Sequence, residues 1–159
     1  MAAFEFPNPV DEISARLVAG FVVLLSVVVI SVGFAWGSAV IALGFLLRVM
    51  AGPRYSPLGT FVTKVLRPRL SIEPRLTAGP PKRFAQAIGL TVSGIAAIAW
   101  IGFANESLGI ALMIVLIVAA SLEAFAGLCL GCKMFAVLMR LGVIPEPICE
   151  RCSTWGSNA

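Results

Sequence analysis

The chain offers chemistry in one place above all: four cysteines arranged as two matching pairs. Cys129-Leu130-Gly131-Cys132 and Cys149-Glu150-Arg151-Cys152 are separated by sixteen residues, and the chain has no other cysteine and no histidine. Paired C-x2-C motifs hold a metal or exchange thiols. Zinc takes four thiolates in a tetrahedron at about 2.3 Å, and an interval of sixteen suits such a site. Cys129, Cys132, Cys149 and Cys152 are therefore candidate zinc ligands. The second reading is dithiol chemistry. A C-x2-C pair at a helix start has one thiol acidified by the helix dipole. Cys129 and Cys132 stand just before an expected helix, with Lys133 adjacent. Here Cys129 attacks, Cys132 resolves, and Cys149 and Cys152 relay the exchange. The third reading is four cysteines with no joint role.

Glu123 is the other candidate. It lies about 9 Å of helix before Cys129, inside an otherwise apolar stretch. An intramembrane acid faces the bundle or water. It either carries protons for thiol chemistry or pairs with an Arg or Lys of a neighbouring segment. Arg48 is similarly isolated, and its long stem would let it reach the headgroups. Without histidine, Ser-His-Asp and Cys-His mechanisms are excluded within the chain. No G-x-x-x-x-G-K phosphate loop is present.

The elements around these residues are built for lipid. Of 159 residues, 59% are hydrophobic and 13% charged, and the mean hydropathy is +0.99. Soluble domains sit nearer 45–50% and about 25%. The basic balance, +4, falls beside apolar spans rather than among aromatics. It suits headgroups and orientation, not nucleic acid. The start of the chain, with Glu5, Asp11 and Glu12 and no basic residue before Arg16, lacks a signal-peptide pattern, so the first helix is expected to be retained.

The apolar run from Leu17 to Ala51 exceeds one span of about 20 residues, and Gly33 to Ser38 is the natural turn. Expected spans are 13–33, 38–51, 84–103 and 108–128. The basic segment 52–83 carries a one-sided stripe of Leu58, Phe61, Val62, Val65 and Leu66, which predicts a short helix in the membrane interface or on the bundle surface. Residues 71–82 read as loop. A helix from Cys132 to about Leu141 follows, then a short tail to residue 159. The fold class is an all-α, integral membrane four-helix bundle, with an interfacial amphipathic helix and a cysteine-bearing terminal segment at 129–159. Small residues in the third span (Gly89, Ser93, Ala96, Ala97) suit close helix contacts, within one chain or in a homo-oligomer or larger membrane complex.

Four spans would put all twelve Lys and Arg residues on one side. The other side would keep two short turns and Glu106. The positive-inside rule then places both termini and all four cysteines at the cytoplasmic face of the cell membrane. A reducing cytoplasm disfavours stable structural disulfides, which leaves metal binding or exchange.

Gly52-Pro53-Arg54-Tyr55-Ser56-Pro57, Arg67-Pro68-Arg69, Pro81-Lys82-Arg83-Phe84-Ala85-Gln86-Ala87 and Cys129-Leu130-Gly131-Cys132-Lys133-Met134-Phe135 resemble a family of small bacterial, mainly actinobacterial, membrane proteins. It is catalogued as domain of unknown function 4395. The resemblance runs from about Asn8 to Leu141 and is most specific at the first cysteine pair. It implies a neighbourhood of thioredoxin-like and sulfurtransferase-like proteins, hence thiol or sulfur traffic through Cys129 and Cys132. Cys149 and Cys152 lie outside it. Two functions follow as expectations: a membrane-anchored thiol partner of such a protein, or a non-enzymatic subunit whose zinc site shapes a docking surface. A topology reporter fused at Asn105 is expected to report the extracytoplasmic side; a cytoplasmic signal there would overturn the four-span arrangement.

Overall fold

The structure, a computed structural model, describes residues 10–52, 56–70, 73 and 75–143. It is all-α apart from one two-residue strand pair. Among the described residues the helices are α1 (Glu12–Val32), α2 (Ala35–Ala51), α3 (Pro57–Phe61), α4 (Gly79–Ala97), α5 (Glu106–Ala126) and α6 (Leu130–Arg140). A wide π turn (Val62–Leu66) and a 3-10 turn (Arg67–Arg69) prolong α3, and a second π turn (Ile98–Gly102) prolongs α4.

Three helices are long and apolar enough to cross a membrane: Glu12–Val32, Gly79–Gly102 and Glu106–Ala126, with mean hydropathies of 2.5, 1.7 and 2.5. Ala35–Met50 is a shorter apolar helix. At about 1.5 Å per residue it is several ångströms short of an average hydrocarbon core, a mismatch that local thinning can absorb. The four long helices close a ring. Helix α1 packs along α5 and touches α2, α2 packs along α4, and α4 packs along α5. The core of this ring contains Val22, Ile41, Phe45, Ala96, Trp100, Met113 and Leu116. Apolar side chains such as Leu24, Val28, Val40, Ile95 and Val118 point outward, as a lipid-facing surface requires, because lipid rather than protein covers them.

Small residues set the helix distances. A Cβ at Gly89 would lie 2.5 Å from the Phe45 ring, so α2 and α4 meet where α4 has no side chain. Ser93 and Ala96 continue that buried stripe. The small residues of this span thus serve contacts within the chain.

Several boundaries differ from the sequence expectation. Helix α2 starts at Ala35 rather than Ser38. Helix α4 starts at Gly79 rather than Phe84, because Pro80 and Pro81 occupy its first turn. Proline is favoured there, since it lacks an N–H that would be unpaired anyway. Within the segment expected to be loop, Leu76–Thr77 pairs antiparallel with Val10–Asp11. The stripe on α3 and its extension splits rather than lying wholly in the interface. Val62 is fully buried, and Phe61 meets Phe21 edge-on at 6.0 Å between ring centroids. Phe61 and Val65 remain partly outward.

Basic residues hold helix ends. Arg16 donates to the carbonyls of Ala124 and Phe125 at the C-terminus of α5. Arg83 donates to Val49 O at the C-terminus of α2. Both satisfy carbonyls that lack partners along the helix. Asp11 caps α1 by accepting from Ile13 N and Ser14 Oγ, and it takes Arg67 Nε at 2.6 Å. Burial works against this carboxylate, but the Ser14 hydrogen bond and Arg67 hold it below its usual range.

Gly89→Leu drives atoms into the Phe45 ring and is expected to cost about 1–3 kcal/mol as overpacking. Gly94→Ala has open space at its Cβ and should be neutral or slightly stabilising. Thermal unfolding of both variants in one detergent checks this, and equal losses would contradict the α2–α4 packing.

Candidate functional site

The first cysteine pair is positioned by the junction between α5 and α6. Gly127 ends α5 in the left-handed region, φ 67°, a conformation that suits a residue without a Cβ. Two residues later the chain enters α6 with Cys129 as its N-cap. Its Sγ accepts from Cys132 N at 3.4 Å. The motif thus begins the helix, rather than preceding one that starts at Cys132. Gly131 is buried against α4, where a Cβ would come within 2.5 Å of Ala85 Cα. Behind it, Phe135 packs on Phe84 at 5.6 Å and on Ala78. This contact seats α6 across the start of α4.

The two sulfurs touch: Cys132 Sγ lies 2.7 Å from Cys129 Sγ, and both thiols are free. Their environments differ. Cys129 is 8% exposed, and Cys132 is more open. The hydrogen bond from Cys132, with help from Lys82 and the backbone N–H, holds the Cys129 thiol below the ordinary cysteine range despite burial and Glu123. The same shared proton, burial and the neighbouring Cys129 charge push Cys132 far up. Cys129 is therefore the more readily ionised thiol of the pair.

Glu123 pairs with a lysine of a neighbouring segment. Lys82 Nζ lies 2.6 Å from Glu123 Oε1, and both side chains are largely buried. Removing one partner of such a pair leaves an uncompensated charge, at about 3–5 kcal/mol. Lys82 also sits close enough for its charge to act on both sulfurs. Sequence reasoning missed it by leaving it in a loop. The signal was present: prolines 80 and 81 mark a helix start, which puts Lys82 and Gln86 one turn apart on a common face.

Arg48 does not reach outward to headgroups. It is 4% exposed, with its guanidinium carbon 4.5 Å from the Phe45 ring centroid and its Nε donating to Gly44 O. Its direction follows from the α2 face on which it lies, the one that packs against α4. Cys149 and Cys152 fall outside the described residues, so the structure places only two of the four proposed zinc ligands. Among the described residues no three Cys, Asp or Glu side chains converge as a metal site.

Fold and site together define a small α-helical membrane protein with a dithiol capping a short helix at one end of its bundle. Residues 10–140 match the family described as "Domain of unknown function (DUF4395)", and the chain belongs to that family. No curated protein and no solved structure matches it.

The unequal thiols can be titrated directly. In a Cys149→Ser/Cys152→Ser background, thiolate absorbance at 240 nm should show one ionisation below the ordinary value of about 8.5 and a second far above it. Lys82 stabilises both thiolates, so Lys82→Met should move the first ionisation up in pH. Two equal ionisations near the ordinary value would contradict the geometry.

Proposed function

We propose that the protein is a membrane-anchored dithiol that exchanges electrons with a soluble thiol protein at the cytoplasmic face of the cell membrane. The observation that carries this is Cys129 at the N-cap of α6, with its sulfur against that of Cys132. A helix N-terminus and a nearby cation stabilise a thiolate, and contact between the sulfurs puts them within reach of a disulfide. The partner is a thioredoxin-like or sulfurtransferase protein, the neighbourhood that the family resemblance implies.

Burial reverses the division of labour expected from sequence order. A thiolate of the partner attacks the more open sulfur, Cys132, of the oxidised pair. The Cys129–Cys132 bond breaks, and Cys129 leaves as the stabilised thiolate. A low-pKa thiol is the faster leaving group. A second thiolate of the partner then attacks its own sulfur in the mixed disulfide. The partner departs oxidised, Cys132 takes up a proton, and two electrons have passed to the membrane dithiol. Run backwards, the same steps oxidise the dithiol and reduce the partner. Glu123 and Lys82 act here as a charged support for Cys129.

The zinc reading is the competing outcome of one experiment. Protein purified in detergent is assayed for zinc by elemental mass spectrometry and for thiols before and after chelation. The dithiol reading expects no zinc and a reversible Cys129–Cys132 disulfide. About one zinc per chain with all four thiols protected would sink it. Single variants then test the order. Cys129→Ser should trap a mixed disulfide at Cys132 with a thioredoxin-like protein, whereas Cys132→Ser should trap little. The reverse pattern would restore Cys129 as the point of attack.

A further inference from the structure

Helix α6 has a face that no other described element covers. Successive residues turn by about 100° around a helix, so Leu130, Met134, Val137 and Leu141 form one stripe along it. They are 42% to 70% exposed, whereas Gly131 and Phe135, on the face toward α4, are buried. Between the stripe and Cys132, going round the helix, lie Ala136, Arg140 and Lys133, all exposed. Neither cation forms an ion pair among the described residues. The stripe begins inside the motif, because Leu130 stands between the two cysteines. Cys132, the more open sulfur, borders the same surface through Ala136 one turn on, whose small side chain leaves room beside it.

The contacts between α6 and α4 fix the direction of α6. Gly131 lies against Ala85, and four residues later Phe135 packs on Phe84 and on Ala78, the N-cap of α4. As α6 advances, its contacts run backwards along α4, so it climbs out of the bundle antiparallel to that helix. Arg83 is the last charge on α4 before an uncharged stretch to Phe103, which puts Ala85 at the edge of the apolar layer. From Gly131 the helix rises about 9 Å to Val137 and about 15 Å to Leu141, and the headgroup layer on each side is about 5–7 Å deep. The upper half of the stripe therefore stands past the headgroups, where lipid does not cover it. Large apolar side chains grouped in water mark a surface for protein contact.

We infer that the outer face of α6 is the docking surface for the soluble thiol protein. The partner presents an apolar groove beside its reactive cysteine, which takes Met134, Val137 and Leu141. It carries acidic residues on the rim that meets Lys133 and Arg140, since opposite charges steer such encounters. The stripe and Cys132 lie on one continuous surface, so a protein seated on the stripe holds its thiolate over the sulfur that it attacks. A second copy of α6 fits less well, because this helix carries no acid to meet its two cations. The inference rests on the dithiol reading and adds to it the surface that selects the partner.

Reduced thioredoxin is the probe, with dithiothreitol as a small thiol that needs no docking. Each is reacted with the oxidised full chain in nanodiscs, and the rates of disulfide reduction are compared. The wild-type chain should react faster with thioredoxin than with dithiothreitol at equal concentration. Met134→Glu and Val137→Glu should slow the thioredoxin reaction at least about tenfold, the loss of one central contact, and leave the dithiothreitol rate unchanged. Arg140→Glu should also slow it and make it less sensitive to salt. Equal thioredoxin rates in wild-type and variant chains would overturn the docking surface and leave the dithiol reading standing. A wild-type chain that reacts no faster with thioredoxin than with dithiothreitol would overturn both. Coverage is read separately. With Cys149→Ser and Cys152→Ser in place and the Cys129–Cys132 pair oxidised, Val137→Cys supplies the one free thiol. It should react with a membrane-impermeant maleimide as fast as an exposed thiol does. Slow labelling would mean that lipid, a second copy or another part of the chain holds the stripe, and would overturn the inference.

Discussion

The buried pair between Lys82 and Glu123 is the constraint on which the rest of this end of the molecule depends. It joins the first turn of α4 to the last turn of α5, two predominantly apolar helices. An ammonium and a carboxylate can stay there only if each keeps the other. Their contact therefore fixes the relative height of the two helices. The α5–α6 junction follows from that height. Once α5 ends at Gly127, Cys129 comes down beside the start of α4, and Gly131 lies against Ala85. The pair thus fixes where the dithiol sits and supplies a cation that stabilises its thiolate.

Basic residues at the same end do structural work that charge counting alone does not reveal. A positive-inside bias orients a membrane protein, yet Arg16 and Arg83 also satisfy the last carbonyls of α5 and α2. Arg67 completes the cap of α1 through Asp11. A helix C-terminus attracts cations, and one end of this bundle gathers the C-termini of α2 and α5 with the N-termini of α1 and α4. Orientation and capping therefore select the same residues. Substituting one of them would alter helix ends as well as the charge balance, so topology experiments based on Arg16 or Arg83 would mix the two effects.

Much of this was legible in the sequence because lipid imposes simple rules. Long apolar runs can only be helices, and the glycines around residue 33 and the polar residues at 105–107 divide them. What failed was local and had local causes. Pro80 and Pro81 read as loop residues, although a first helical turn accepts proline, and that single misreading hid Lys82, the partner of Glu123. The strand pair escaped because two residues carry no usable periodicity. An arginine near a helix end commonly snorkels, so the sequence alone points Arg48 outward. Its true direction depends on which face of α2 meets α4, and that is decided by Phe45 and Gly89, residues on two different helices. Cys129 and Cys132 were legible as a pair, but their unequal exposure was not, because it arises from Gly131 seating α6 on Ala85.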